Sequence, residues 1–162
     1  MSLVTNFLFI TVFYLIGSIP FALILTKLLG HGDIRNIGSG NVGATNVLRT
    51  GNKYLAIAVL SLDILKGLAP FIIINSLYDI NILHSVFLCH FAIIGHIFPI
   101  WLKFKGGKGV ATYIGFLIGF NLLIGLYFSL TWIAIAWISR YSSLSSLAAS
   151  LVVPLYFFFY KS

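Results

Sequence analysis

Two glycine-rich stretches hold the groups best suited to chemistry in this chain. The first, GDIRNIGSGNVGATNVLRTGNK at residues 32–53, sets Ser39, Asn41, Thr45 and Asn46 among Gly38, Gly40 and Gly43, with Arg35 and Arg49 in the same loop. Glycines let successive backbone N–H groups converge on an anion, and hydroxyl and amide groups add neutral donors. Arginine adds charge in a bidentate geometry that matches phosphate. The second stretch, KFKGGKG at residues 103–109, wraps Lys103, Lys105 and Lys108 with Gly106, Gly107 and Gly109. A third, RYSSLSS at 140–146, places Ser142 and Ser143 beside Arg140. Each stretch also has a plainer reading: tight turns built from Gly and Asn, lysines that mark a cytoplasmic loop, and serines that cap a helix.

Two familiar nucleotide motifs are excluded. Gly38, Gly40 and Gly43 fit G-x-G-x-x-G, and Asp63 follows at about the spacing of a ribose-binding acid, but that fingerprint needs a strand before it and a helix opening on it. Here both flanks are long apolar runs. The lysine loop is not a Walker A motif, because Lys108 is followed by Gly109 where Ser or Thr is required.

The remaining polar groups lie within apolar runs. Asp63 and Lys66, in LDILKG, are spaced i,i+3 inside the second run. Charges at that depth are costly and call for a partner or an inward-facing role. The pair fits two readings, mutual neutralisation or the lining of a polar cavity. His96, just before Phe98-Pro99, reads as a hydrogen-bonded structural group or a catalyst; His84 and His90 read as helix-surface or packing residues and His31 as a loop residue.

The elements that must position these groups follow from composition. Of the 162 residues, 60% are hydrophobic and 8% charged, and the mean hydropathy is +1.07. Soluble domains carry about 25% charged residues, so the chain reads as an all-α integral membrane protein. There is no glutamate, and Asp33, Asp63 and Asp79 are the carboxylates. Chemistry that needs paired carboxylates or a two-metal site is poorly served. One cysteine, Cys89, permits no internal disulfide.

A span needs about 20 apolar residues. The runs predict six: 3–29 with a break at Gly17-Ser18-Ile19-Pro20, 54–78, 84–101, a short fourth from Val110 ending at Asn121, a fifth ending near Arg140, and a sixth over 144–160. An outside N-terminus then puts Lys27, Arg35, Arg49, Lys53, Lys103, Lys105, Lys108 and Arg140 inside, against Lys161 outside. All three polar stretches share the inner face. No repeat or linker divides residues 1–162, so one polytopic domain is expected. The start, MSLVTN, has no basic region, so the first run is expected to be a retained helix.

In order along the chain, GSIPFALILTK, RNIGSGNVGATNVLRTGNK, LDILKG, GHIFPIWLKFKGGKGVAT and RYSSLSS resemble the successive signatures of the acyl-phosphate-dependent glycerol-3-phosphate acyltransferases, the PlsY family. The resemblance implies a bacterial inner-membrane enzyme. It would move a fatty acyl group from acyl phosphate to the sn-1 hydroxyl of glycerol 3-phosphate, releasing lysophosphatidic acid and phosphate in the first acylation of phospholipid synthesis. It implies Ser39 and Arg49 as glycerol 3-phosphate ligands, with Lys108 or Lys105 completing the phosphate site. Gly40, Thr45 and Ser143 would lie near the acyl-phosphate head group, and no metal or cofactor is required. The implied partners are the two substrates and membrane lipid, not nucleic acid, with functional coupling to the enzyme that makes acyl phosphate.

The family pattern continues through a seventh helix to an Arg-His-Arg-x-Asn-Ile-type motif and a Glu. This chain's last residues are LYFFFYKS, so the Asn, His and Glu of that segment are expected to be absent from it. Two other readings fit the same residues: a catalytically inactive relative, and a small anion-binding transporter. Inverted repeats, common in transporters, are not visible.

Overall fold

The computed structural model describes residues 1–160, which form helices and turns with no strand among them. The expected outer cation, Lys161, lies outside the described residues. Helix α1 (Leu3–Ser18) begins where Ser2 Oγ accepts the Thr5 N–H at 3.1 Å. It ends at Ile19-Pro20, the expected break, because proline offers no N–H to continue the ladder. Helix α2 (Phe21–Leu28) completes the first apolar segment. The long first loop contains a 3-10 turn at Ile34–Asn36 and a one-turn helix, α3 (Ala44–Val47).

Helix α4 (Lys53–Leu77) is capped by Asn52, and α5 (Ile82–Ile97) by Asn81. A 3-10 turn at Ile100–Leu102 follows, and Lys103 and Phe104 then take left-handed backbone angles, φ 53° and 62°. Helix α6 (Val110–Phe120) stops at Asn121, whose extended backbone reverses the chain. The Asn121 Oδ1 then accepts the N–H groups of Leu123 and Ile124, capping α7 (Leu122–Ser139). Helices α8 (Ser142–Ser150) and α9 (Val152–Tyr160) meet at Leu151; Pro154 cannot bond back to Ser150.

Among the described residues, five segments are long and apolar enough to cross a bilayer: Leu3–Leu28, Lys53–Leu77, Ile82–Leu102, Leu122–Ser139 and Ser142–Phe159. The expected short fourth helix is α6. Its 11 residues rise about 16 Å, roughly half of a 30 Å hydrocarbon core.

Packing is closest where small residues meet a facing backbone. A Cβ added at Gly17 would strike the Ala92 carbonyl, and one at Gly95 the Tyr14 carbonyl, so α1 and α5 touch backbone to backbone. Gly67 and Gly115 bring α4 and α6 together in the same way, against the carbonyls of Thr112 and Ile64. Small residues at such crossings are how membrane helices gain van der Waals contact. A core of Phe13, Phe71, Leu88, Phe116, Ile124 and Phe128 fills the space between these pairs. A second cluster, Ala22, Ile34, Val42, Val47, Leu55 and Val59, seats the first loop on α2 and α4.

Candidate active site

The three polar stretches meet at one end of the bundle, around a cavity of about 210 Å³ between α4, α6 and α7. Asn41, Gly43 and Thr45 come from the first loop, Lys108 and Gly109 from the second, and Ser142 from the third. Leu60 and Ile64 of α4, Ile114 of α6, and Trp132 and Ile133 of α7 provide an apolar wall. Asp63 and His96 line both this cavity and a second, smaller one beside it.

Helix starts face the cavity without side-chain caps. Gly109 opens α6, Tyr141 opens α8 and Gly43 opens the single turn α3, none with a capping hydrogen bond from its side chain. By contrast α1, α4, α5 and α7 are capped by Ser2, Asn52, Asn81 and Asn121. Uncapped first-turn N–H groups and the positive end of the helix dipole form an anion site. Gly109, Val110 and Ala111 of the α6 start are themselves in the cavity lining.

Several other loop donors are already engaged. Asn46 is 1% exposed; its Nδ2 donates to the carbonyls of Ile34 and Ile37, each at 3.0 Å, and its Oδ1 accepts the Ser39 N–H at 3.2 Å. Its amide therefore shapes the loop from within. The Gly40 N–H bonds Ile37, while Gly106 and Gly107 donate to the carbonyls of Ile97 and His96. Gly106 and Gly107 thus tie the lysine loop back to the end of α5 and do not offer free N–H groups. Gly38, at φ +56°, lies against both Asn46 Oδ1 and the Arg49 side chain, where a Cβ would overlap them.

The cations divide similarly. Arg35 grips Asp33 through Nη2–Oδ2 at 2.6 Å and Nε–Oδ1 at 3.0 Å, and this hydrogen bonding lowers the Asp33 pKa to about 2. Among the described residues, Arg49, Lys103, Lys105 and Lys108 have no carboxylate within 4.0 Å. Lys108 lines the cavity. Ser39, Arg49, Lys103, Lys105 and Ser143 are exposed at its end of the bundle but outside its lining.

The sequence reading did not identify Trp132, Ser129 or the aliphatic wall as site residues. The helical spacing of Ser129, Trp132 and Ile133 on α7 looks like ordinary packing, and only the return of α7 over α6 brings them to the loops. Trp132 is held there by donating its indole N–H to Ser146 Oγ at 3.1 Å.

A family model described as Glycerol-3-phosphate acyltransferase matches residues 7–162. The glycerol-3-phosphate acyltransferase of Allorhizobium ampelinum is 59% identical over 143 residues, covering 87% of this chain and 68% of that protein. That of Pelagibacter ubique is 53% identical over 150 residues, covering 92% of this chain and 76% of its own length. The crystal structure of PlsY (YgiH), an integral membrane glycerol 3-phosphate acyltransferase, in its glycerol 3-phosphate form matches with a TM-score of 0.85 at 37% identity. It covers 95% of this chain and 76% of that one; the lysophosphatidic acid form matches at 0.84. The matched range of the family model takes in all three turns and the helices that carry them, and this chain belongs to the PlsY family of integral membrane glycerol-3-phosphate acyltransferases.

Proposed function

We propose that the cavity and the exposed cations beside it hold two phosphate head groups together during acylation of glycerol 3-phosphate, with acyl phosphate as the donor. The observation that carries this reading is the meeting of Thr45, Lys108 and the uncapped starts of α6 and α8 around one cavity with an aliphatic wall. The helix starts and Thr45 suit the acyl-phosphate head group, with Gly40, Asn41, Gly43, Ser142 and Ser143 close by. Leu60, Ile64, Ile114 and Ile133 suit the first part of its acyl chain. Ser39 and Arg49 bind glycerol 3-phosphate at the exposed side, and Lys108 stands between the two sites with Lys105 and Lys103 nearby.

The donor is a mixed anhydride, so its carbonyl is already activated. The sn-1 hydroxyl attacks that carbon, the new ester C–O bond forms, and the acyl C–O bond to phosphate breaks. The hydroxyl proton leaves with a phosphate oxygen, giving lysophosphatidic acid and inorganic phosphate. The protein's part is alignment and neutralisation of the phosphoryl charge. The bacterial relatives support an inner-membrane location, the lysines and arginines of the three turns support a cytoplasmic face for them, and the shared packing supports one domain. Functional coupling to the enzyme that supplies acyl phosphate would shorten the path of a labile substrate.

The test uses the purified chain in lipid with palmitoyl phosphate and labelled glycerol 3-phosphate. Labelled lysophosphatidic acid and stoichiometric phosphate are expected. A well-folded chain that forms neither would end the assignment of activity.

A further inference from the structure

We propose that His96 is a positioning residue for Lys108, fixing the backbone on both sides of that lysine. Before Lys108 stands Gly107. Its N–H donates to the His96 carbonyl at 3.1 Å, and a Cβ there would strike His96 Nε2 and the neighbouring ring carbons. The imidazole edge therefore rests on the bare Cα of Gly107. After Lys108 stands the first turn of α6, where Thr112 Oγ1 lies 3.1 Å from His96 Nδ1, a contact buried on both sides. One ring thus meets the chain immediately before Lys108 and four residues after it.

The ring also lies beside the buried ion pair of α4. His96 Nδ1 lies 3.8 Å from Asp63 Oδ1, and Lys66 Nζ lies 2.8 Å from the same oxygen. Lys66 also donates to the Ile19 carbonyl at 2.9 Å, anchoring α4 to the break between α1 and α2. A lysine side chain is flexible and reaches a phosphate as a point charge. Fixing its Cα limits the positions it can sample, which is how a supporting residue affects a binding group. Histidine suits this task because its two ring nitrogens point to opposite ends of one rigid plane.

This inference rests on the assignment of Lys108 to substrate phosphate, and the experiment separates the two. Steady-state kinetics in lipid are measured for His96→Asn, Lys108→Ala and the double variant. Asparagine retains a polar group near Thr112 but cannot reach Gly107. His96→Asn is expected to raise KM for glycerol 3-phosphate roughly ten-fold, with the KM for palmitoyl phosphate and the thermal midpoint little changed. In the Lys108→Ala background the same substitution is expected to add nothing. Gly107→Ala disturbs the contact from the other side, should show the same KM shift and the same non-additivity with Lys108→Ala, and carries the cycle if His96→Asn does not fold.

An unchanged KM for glycerol 3-phosphate in Lys108→Ala would remove the phosphate assignment. A raised KM in that variant, with effects that simply multiply in the double variant, would leave the assignment standing and overturn the role of His96. A loss of kcat at constant KM in both His96→Asn and Gly107→Ala would overturn it as well, since that is what a smaller folded fraction produces.

Discussion

A cation serves a phosphate best when no carboxylate already holds it. Asp33 accepts from Nε and Nη2 of Arg35, which leaves Arg49 as the first loop's arginine without such a partner among the described residues. Lys53 differs again, because it begins α4 beyond its Asn52 cap. Arg49→Ala is expected to raise KM for glycerol 3-phosphate by a factor of roughly ten or more, the cost of a lost charge-assisted contact, whereas Lys53→Ala changes it little. Equal small effects in parallel titrations would show that both cations serve only orientation in the membrane. The Asp33–Arg35 pair also has a pH signature. The folded carboxyl ionises at about 2, below its ordinary 3.8, so its contribution is complete above 3.8 and disappears as pH falls through 2. The difference in thermal midpoint between the parent and Asp33→Asn should thus stay constant from about pH 5 to 9, and its size should be small because the pair is solvated. A difference that shrinks within that range would mean another group holds Arg35.

At the scale of elements, the apolar runs, the break at Pro20 and the reversal at Asn121 were legible in the sequence because each depends on local chemistry. Run length reports burial in lipid, proline removes a donor, and asparagine caps a new helix. Less was legible wherever the outcome depends on a contact distant in sequence. Gly106 and Gly107 have the composition of an anion-binding loop, yet their N–H groups belong to the end of α5. Asn46 looks like a ligand in GATN, yet its amide is used within the loop. The uncapped starts of α6 and α8 were not read as a site, since only folding shows where a helix start points. The glycine crossings were similarly invisible, because Gly67 and Gly115 are spaced along two helices whose pairing the sequence does not state. They give an element-scale prediction. Gly67→Ala puts a methyl group against the Thr112 carbonyl, and backbone cannot rotate away as a side chain could. Overpacking of this kind costs about 1–3 kcal/mol, so the thermal midpoint in detergent should fall clearly. If Gly67→Ala melted with the parent, α4 and α6 would not be in backbone contact.

For the whole molecule, the buried network around Asp63 links parts that share little sequence proximity: the break after α1, the middle of α4, the end of α5 and the start of α6. Asp63 and Lys66 are 2% and 5% exposed, and their 2.8 Å contact is an ion pair that does not meet hydrogen-bond directionality at Oδ1. Buried pairs of this kind stabilise less than their distance suggests, because desolvation offsets the attraction. Breaking one is a different matter. Lys66→Met leaves the Asp63 carboxylate without its cation and the Ile19 carbonyl without its donor, a loss of about 3–5 kcal/mol by comparison with other broken buried pairs. Asp63→Asn should cost a similar amount by stranding the ammonium. The double variant Asp63→Asn/Lys66→Met removes both charges and leaves mainly the unpaired Ile19 carbonyl, about 1–3 kcal/mol. Its thermal midpoint should therefore lie above that of either single variant. If instead the two losses simply add, the charges are not coupled across the core.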